Sequence, residues 1–218
     1  MLLEELFKNV HGYYQKDNIE TLCVVSSART FEPKRGAMES NMRTLLSVLV
    51  IVAISVSIAA AQSKVTKESI PGVQNFAKVE TTVACAGAIT PASVAEIKKM
   101  GYASIINLRQ ASEQGADIDG EAAAAKTAGI NFVHVPFNGA QPSSAAVDQF
   151  LKAIVDKGNN PAFIHCSGGN RAAAMWFIKR GVVDKWDTGR AMAEATELGF
   201  TSQPLKDFAI EYVKAHQK

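Results

Sequence analysis

Apolar and polar positions change period repeatedly along the chain from residue 76 onward, and each change marks an element. Residues 76–84 alternate enough for a strand. Thr90-Pro91 fits an N-cap with proline at the first helical position, so a helix is expected from there to about Met100, closed by Gly101. Residues 103–108 form a short apolar strand, and 109–115 a polar loop. An alanine-rich helix spans 119–128 and stops at Gly129; its alanine run at 122–125 reads as close helix packing. Residues 131–137 read as a strand and 138–142 as a loop. Ser143 or Ser144 caps a helix to about Lys157. Residues 162–165 are a further strand, followed by an alanine-rich helix from Ala172 to about Arg180 that Gly181 is placed to end. Asp187 and Ser202 cap two more, near 188–198 and 204–215. Strands alternating with helices predict a single α/β domain, a central, mainly parallel sheet flanked by helices. Short strands apolar throughout fit a sheet buried on both faces.

The N-terminal part has a different character. Met42-Arg43-Thr44 is followed by an apolar run, 45–58, and then Ala59-Ala60-Ala61-Gln62. A short basic start, an apolar core and a small-residue cleavage site make a secretory signal, residues 42–61, with cleavage after Ala61. Residues 1–41 show no periodic pattern and are expected to be a non-native upstream extension, with translation starting at Met42. Residues 62–75 are polar, contain Pro71-Gly72 and read as a flexible lead-in to a domain over 76–218. The expected protein is therefore exported, periplasmic or secreted, and meets a membrane only through an uncleaved signal.

Composition narrows the function further. The region 62–218 holds 17 Lys and Arg against 15 Asp and Glu with no basic run, so nucleic acid is an unpromising partner. His11, His134, His165 and His216 are scattered, and no Cys/His spacing fits a metal. No cofactor is expected. Outside the leader, which contains Cys23, two cysteines remain, Cys85 and Cys166, and in an exported chain a disulfide is one option.

The chemistry concentrates in 163–171, Phe-Ile-His-Cys-Ser-Gly-Gly-Asn-Arg. A buried strand ends in His165-Cys166, a loop with two glycines follows, and Arg171 opens a helix. Loop amides, a helix N-terminus and a guanidinium then surround one thiol, and all favour negative charge. Cys166 is expected to be a thiolate nucleophile near neutral pH. Gly168 and Gly169 let the backbone turn its amides inward. Ser167, Gly168, Gly169 and Asn170 supply the oxyanion cradle. Arg171 offers a planar fork for a phosphate-like group. His165 is expected to hydrogen-bond loop carbonyls from behind and fix the loop's shape.

These residues resemble a known superfamily. Residues 84–109, the Val133-His134-Val135-Pro136 stretch and the Cys166 loop are similar to dual-specificity-type protein tyrosine phosphatases. The likeness is strongest to the phosphatase-like domain of bacterial beta-lactamase-hydrolase-like proteins, also described as a sulfur transferase domain. It covers about 76–216 and implies a tyrosine-phosphatase-like fold with Cys166 as nucleophile and Arg171 as anion clamp. It places Arg109 at a family position, where a salt bridge to a loop is the favoured reading. It also sets Cys85 beside the loop, as a resolving thiol or, preferred here, as a small buried residue.

Three features depart from the phosphatase pattern. The loop is Cys-x4-Arg rather than Cys-x5-Arg, the length of rhodanese-like sulfurtransferases. The family's acid Asp is replaced by Asn138, which cannot supply a proton. Ala172 stands where a Ser or Thr usually assists the sulfur's departure. Glu113, Asp117 and Asp119 are substitute acids, although a solvated loop carboxylate is the favoured reading of each. The leading expectation is a cysteine-dependent phosphatase acting on a phosphorylated small molecule or protein. The alternatives are sulfur transfer from a sulfur-bearing substrate through a Cys166 persulfide, and a non-catalytic anion-binding module.

Overall fold

The computed structural model describes residues 65–79 and 81–217. The expected upstream extension and signal lie outside the described residues. Six strands form one sheet: β1 (Val65–Lys67), β2 (Ala77–Val79), β3 (Val83–Ala86), β4 (Ser104–Asn107), β5 (Asn131–His134) and β6 (Ala162–His165). Their order is β1-β2-β3-β6-β4-β5. The pairs β3–β6, β6–β4 and β4–β5 are parallel, while β1–β2 and β2–β3 are antiparallel. Six α-helices flank this sheet among the described residues: α1 (Val94–Lys99), α2 (Ile118–Ala128), α3 (Ser144–Val155), α4 (Asn170–Val182), α5 (Thr188–Glu197) and α6 (Gln203–His216). The expected α/β architecture with a mainly parallel sheet is the one found.

The central strand β6 explains where the site sits. All four of its residues are buried, between β3 and β4. Side chains alternate along a strand, so Phe163 and His165 face one way, and Ala162, Ile164 and Cys166 the other. Phe163 joins Phe76, Val94, Ile97 and Ile105 in one apolar cluster. Ile164 and Cys166 join Cys85, Ile106 and the buried face of α4 in the larger one. Cys166 thus emerges at the carboxyl end of the most enclosed strand, where open parallel sheets place ligands.

Several element readings change. The stretch 76–84 is two strands, β2 and β3, that pair with each other through Val79 and Val83. Its alternation runs straight through the turn, so periodicity alone hides the reversal. Part of the polar stretch read as a lead-in, from Val65 on, is built into the sheet. Strand β1 pairs through its backbone, which polar residues do as well as apolar ones, and Lys78 Nζ lies 2.6 Å from Glu68 Oε1 alongside it. The expected helix at Thr90-Pro91 opens with a 3-10 turn (Pro91–Ser93) before α1 begins.

Gly181 does not end α4. It lies inside the helix, where a Cβ would come within 2.6 Å of Val213 Cγ1. The glycine is there so that α4 and α6 can approach closely. Helix α4 also begins earlier than Ala172, at Asn170, after Gly169 at φ 96°. Strand β5 ends at His134 and α3 at Val155, before the stretches expected of them.

Candidate functional site

Loop 166–169 links β6 to α4. Cys166 is 1 % exposed, its N–H donates to Ala86 O (3.2 Å), and its Sγ accepts the Gly169 N–H at 3.1 Å. Gly169 carries φ 96°, which a side chain adopts only under strain. The next amides belong to the first turn of α4 and lack helical acceptors, so their dipoles favour an anion in front of the sulfur. Ser167 O accepts from Ala88 N (2.9 Å). The Asn170 side chain bonds to a neighbouring segment: it donates to Thr201 Oγ1 (2.6 Å) and accepts from Ser202 N (3.1 Å). It therefore ties the loop to the segment that leads into α6.

Arg171 is more heavily engaged than an open clamp. Nη1 and Nη2 grip Glu113 Oε1 and Oε2 at 2.6 and 2.7 Å. Nη1 also donates to Leu108 O (3.1 Å) and Phe137 O (2.8 Å), and Nη2 to Ser167 Oγ (3.0 Å). One guanidinium thus joins the loops that follow β4, β5 and β6. Its stem lies against Gly139, where a Cβ would stand 3.2 Å from Arg171 Cγ. Burial disfavours the Arg171 charge, but the Glu113 hydrogen bonds and the nearby Cys166 sulfur outweigh it and raise its pKa.

Glu113 is correspondingly an acid of unusual strength. Burial pushes its pKa up, yet hydrogen bonds from Arg171 and the Gln110 amide, together with the charges of Arg171 and Arg109, bring it to about 2. It is not the solvated loop carboxylate that its sequence context suggests. Being ionised at neutral pH, it cannot act as a proton donor in this arrangement. Asp117 caps α2 by accepting from Gly120 N (3.0 Å), and Asp119 lies in that helix's first turn. Asn138 Oδ1 accepts from Ala140 N (2.9 Å), closing a small turn. Asn138, Glu113, Gln110, Ser167, Asn170 and Arg171 all line a pocket of about 360 Å³ in front of the loop.

The structure places His165 elsewhere than expected. Its Nε2 lies 3.1 Å from Glu121 Oε2, with both side chains fully buried on the opposite face of the sheet from Cys166. Glu121 Oε2 also accepts from Asn107 Nδ2 (2.6 Å), and Asn107 Oδ1 accepts from Arg109 N (2.7 Å). Strand alternation turns the imidazole away from the loop carbonyls it was expected to bind. Arg109, 3 % exposed, donates to Gln114 O and Gly115 O (2.7 and 2.8 Å), with Nε 3.5 Å from Glu113 Oε2. It fixes the loop that presents Glu113.

Cys85 and Cys166 are both free and share one apolar cluster. Burial, reinforced by the Cys166 charge, pushes the Cys85 thiol well above its usual range. Among the described residues no three His, Cys, Asp or Glu side chains gather as a metal site would need.

Sequence reasoning missed two groups. Glu121 is one of two carboxylates in an alanine-rich helix, and only its burial sets it apart from Asp119. Asn75 has no motif around it, yet its Nδ2 donates to Gly168 O at 3.1 Å, 93 residues away.

Comparison with known proteins bears on this geometry. The family model for the phosphatase-like domain of beta-lactamase hydrolase-like proteins matches residues 75–183, half of the chain. Two beta-lactamase hydrolase-like proteins from Xylella fastidiosa strains are 33% and 34% identical over 120 and 88 residues. Those matches span 52% and 39% of this chain but only 27% and 20% of the relatives' own length. Among solved structures, TpbA from P. aeruginosa superposes with a TM-score of 0.54 at 20% identity, covering 71% of this chain and 91% of that one. The core catalytic domain of the PP-IP phosphatase SIW14 from S. cerevisiae gives 0.54 at 17% identity, covering 67% and 93%. At such identities these two structures share the fold.

Proposed function

The chain belongs to the family of the phosphatase-like domain of beta-lactamase hydrolase-like proteins, and from that premise we propose that it is a cysteine-dependent phosphatase. The observation that carries this reading is Cys166 Sγ held at 3.1 Å by the Gly169 amide, at the mouth of α4 and beside Arg171. In the proposed reaction, Cys166 attacks the phosphorus of a phosphomonoester in line. The P–O bond to the leaving group breaks and a P–S bond forms. Water then hydrolyses the thiophosphate and returns the sulfur. Loop amides and Arg171 stabilise the charge on the equatorial oxygens, once the anion has drawn part of the guanidinium from Glu113. No proton donor stands at Asn138, and Glu113 is ionised. General acid assistance of roughly 10²–10⁴-fold is thus missing, which restricts the enzyme to substrates with good leaving groups such as aryl phosphates.

Sulfur transfer through a Cys166 persulfide is the second reading. Two observations favour it: the six-residue span from Cys166 to Arg171, and a guanidinium already filled by Glu113. Side-by-side assays of the purified protein and its Cys166→Ser variant separate the two. Hydrolysis of p-nitrophenyl phosphate that disappears in the variant supports the phosphatase. Thiocyanate formation from thiosulfate and cyanide, without phosphate release, replaces it with the second reading. Equal background in both assays leaves an anion-binding module. Export remains part of the proposal and rests on residues 42–61 alone.

A further inference from the structure

We propose that Asn75 is a positioning residue for the nucleophile, acting through a single peptide unit of the signature loop. The inference rests on the reading of Cys166 as the reactive thiol. It does not depend on whether phosphorus or sulfur is transferred.

The argument starts with the Gly168–Gly169 peptide. Its N–H end donates to Cys166 Sγ at 3.1 Å, and its C=O end accepts from Asn75 Nδ2 at 3.1 Å. A trans peptide is planar with its N–H and C=O pointing in opposite directions. Fixing the oxygen outward toward Asn75 therefore fixes the N–H inward, onto the sulfur. Sterics do not hold this orientation. The peptide lies between two glycines, and a Cβ at Gly168 would meet nothing within 4 Å. A peptide between glycines rotates with little hindrance, so hydrogen bonds at its two ends decide which way it faces. If it turned over, a carbonyl dipole would replace an amide dipole at the sulfur.

The chain goes to some length to bring Asn75 there. Gly87 N donates to Gln74 O (2.7 Å), Gln74 N to Ala88 O (2.9 Å), and Ala88 N to Ser167 O (2.9 Å). Segments around residues 74, 87 and 167 are thereby laced side by side. The close approach requires Gly87, because a Cβ there would stand 3.0 Å from both Gln74 Cβ and Ser167 O. Asn75 follows at φ 48°, one of two non-glycine residues at positive φ among the described residues. Asn tolerates that region better than most side chains, and such backbone persists where surroundings impose it. The left-handed turn delivers the amide to Gly168 O. Nothing else in the site described so far uses this residue.

The test is the pH profile of Cys166 alkylation by iodoacetamide, read by peptide mass spectrometry on the full chain. Asn75→Gly keeps the positive φ free of strain and removes the donor. Asn75→Asp keeps the shape and turns an acceptor toward Gly168 O. Neither change alters the other polar groups around Cys166: Arg171 and its partner Glu113, the Cys85 thiol on β3, and His165 with Glu121 across the sheet. Loss of one amide bond to a charged acceptor moves the profile to higher pH by roughly one unit. The expected order is Asn75→Asp beyond Asn75→Gly. Profiles that coincide with the parent's in folded variants overturn the proposal.

Melting temperature is measured in parallel, because a purely structural asparagine lowers it without moving the profile. A second measurement needs no variant. In the ¹⁵N-labelled parent, the Gly169 amide resonance is expected to follow the titration of Cys166 more strongly than its loop neighbours. A Gly169 signal indifferent to that titration also overturns the assignment. Both readouts report on the thiol rather than on turnover, so they stand apart from any failure of the phosphatase reading.

Discussion

Glu113 and Arg171 meet through two hydrogen bonds of nearly equal length, and under the proposed function that pair governs how the site meets an anion. The carboxylate occupies the fork that a substrate oxyanion would use. An arriving phosphoryl group must therefore compete with an internal ligand. Glu113→Gln keeps the shape and removes the charge, so KM for p-nitrophenyl phosphate is expected to fall several-fold; an unchanged or higher KM would show that Glu113 orients Arg171 rather than competing for it. The pair also makes a pH statement. Glu113 has a folded-state pKa of about 2 against an ordinary 4.5. A depressed acid stabilises the fold above its unfolded pKa, and that contribution drains away as pH falls from about 4.5 toward 2. With the side chain 20 % exposed, solvent screening limits the contribution to about 1 kcal/mol. Urea midpoints taken between pH 7 and pH 2.5 should fall less steeply in Glu113→Gln than in the parent, and parallel curves would refute the linkage.

At the level of elements, α4 shows how a local signal misleads when packing decides. Gly181 follows a helical run and looks like a stop, yet its role is to admit Val213 from α6. Ala is a better helix former than Gly by roughly 1 kcal/mol, whereas forcing a methyl into a packed interface costs typically 1–3 kcal/mol. The second effect should win: Gly181→Ala is expected to lower stability by about 1 kcal/mol. The clashing atoms are Val213 Cγ1 and Cγ2, so adding Val213→Ala should recover much of the loss in a double-mutant cycle. Additive losses would place the strain elsewhere. Strand faces mislead less often. Alternation sends Cys166 and His165 to opposite faces, and that rule was available in the sequence. His165 therefore meets Glu121 rather than supporting the loop. The hairpin β2–β3 was not legible, because Val79 and Val83 keep the alternating pattern on both sides of the turn.

Across the whole molecule, what could be read from sequence is what is local. The alternation of strands and helices points to the α/β sheet, and 163–171 carry the proposed nucleophile, the glycines and the arginine in one stretch. The remaining site groups are distant partners. Glu113 meets Arg171 across 58 positions, and Asn75 reaches Gly168 across 93. Only the strand order brings them together, and no spacing rule encodes it. The two thiols of the sheet carry the same lesson into a measurement. Cys166 is 1 % exposed and Cys85 fully buried, so accessibility hardly separates them. Their surroundings do. Cys166 has the Gly169 amide donor and the Arg171 guanidinium beside it. Cys85 sits among apolar neighbours, and burial holds it as a neutral thiol. Iodoacetamide at neutral pH should therefore label Cys166 in the folded protein and spare Cys85. Cys85 should become reactive only across the urea unfolding transition, in proportion to the unfolded fraction. Peptide mapping assigns each adduct to its cysteine. Labelling of Cys85 well before the transition, or a Cys85–Cys166 disulfide after mild peroxide treatment, would mean that the sheet opens locally beside the site, and Cys85 would then act as a resolving thiol.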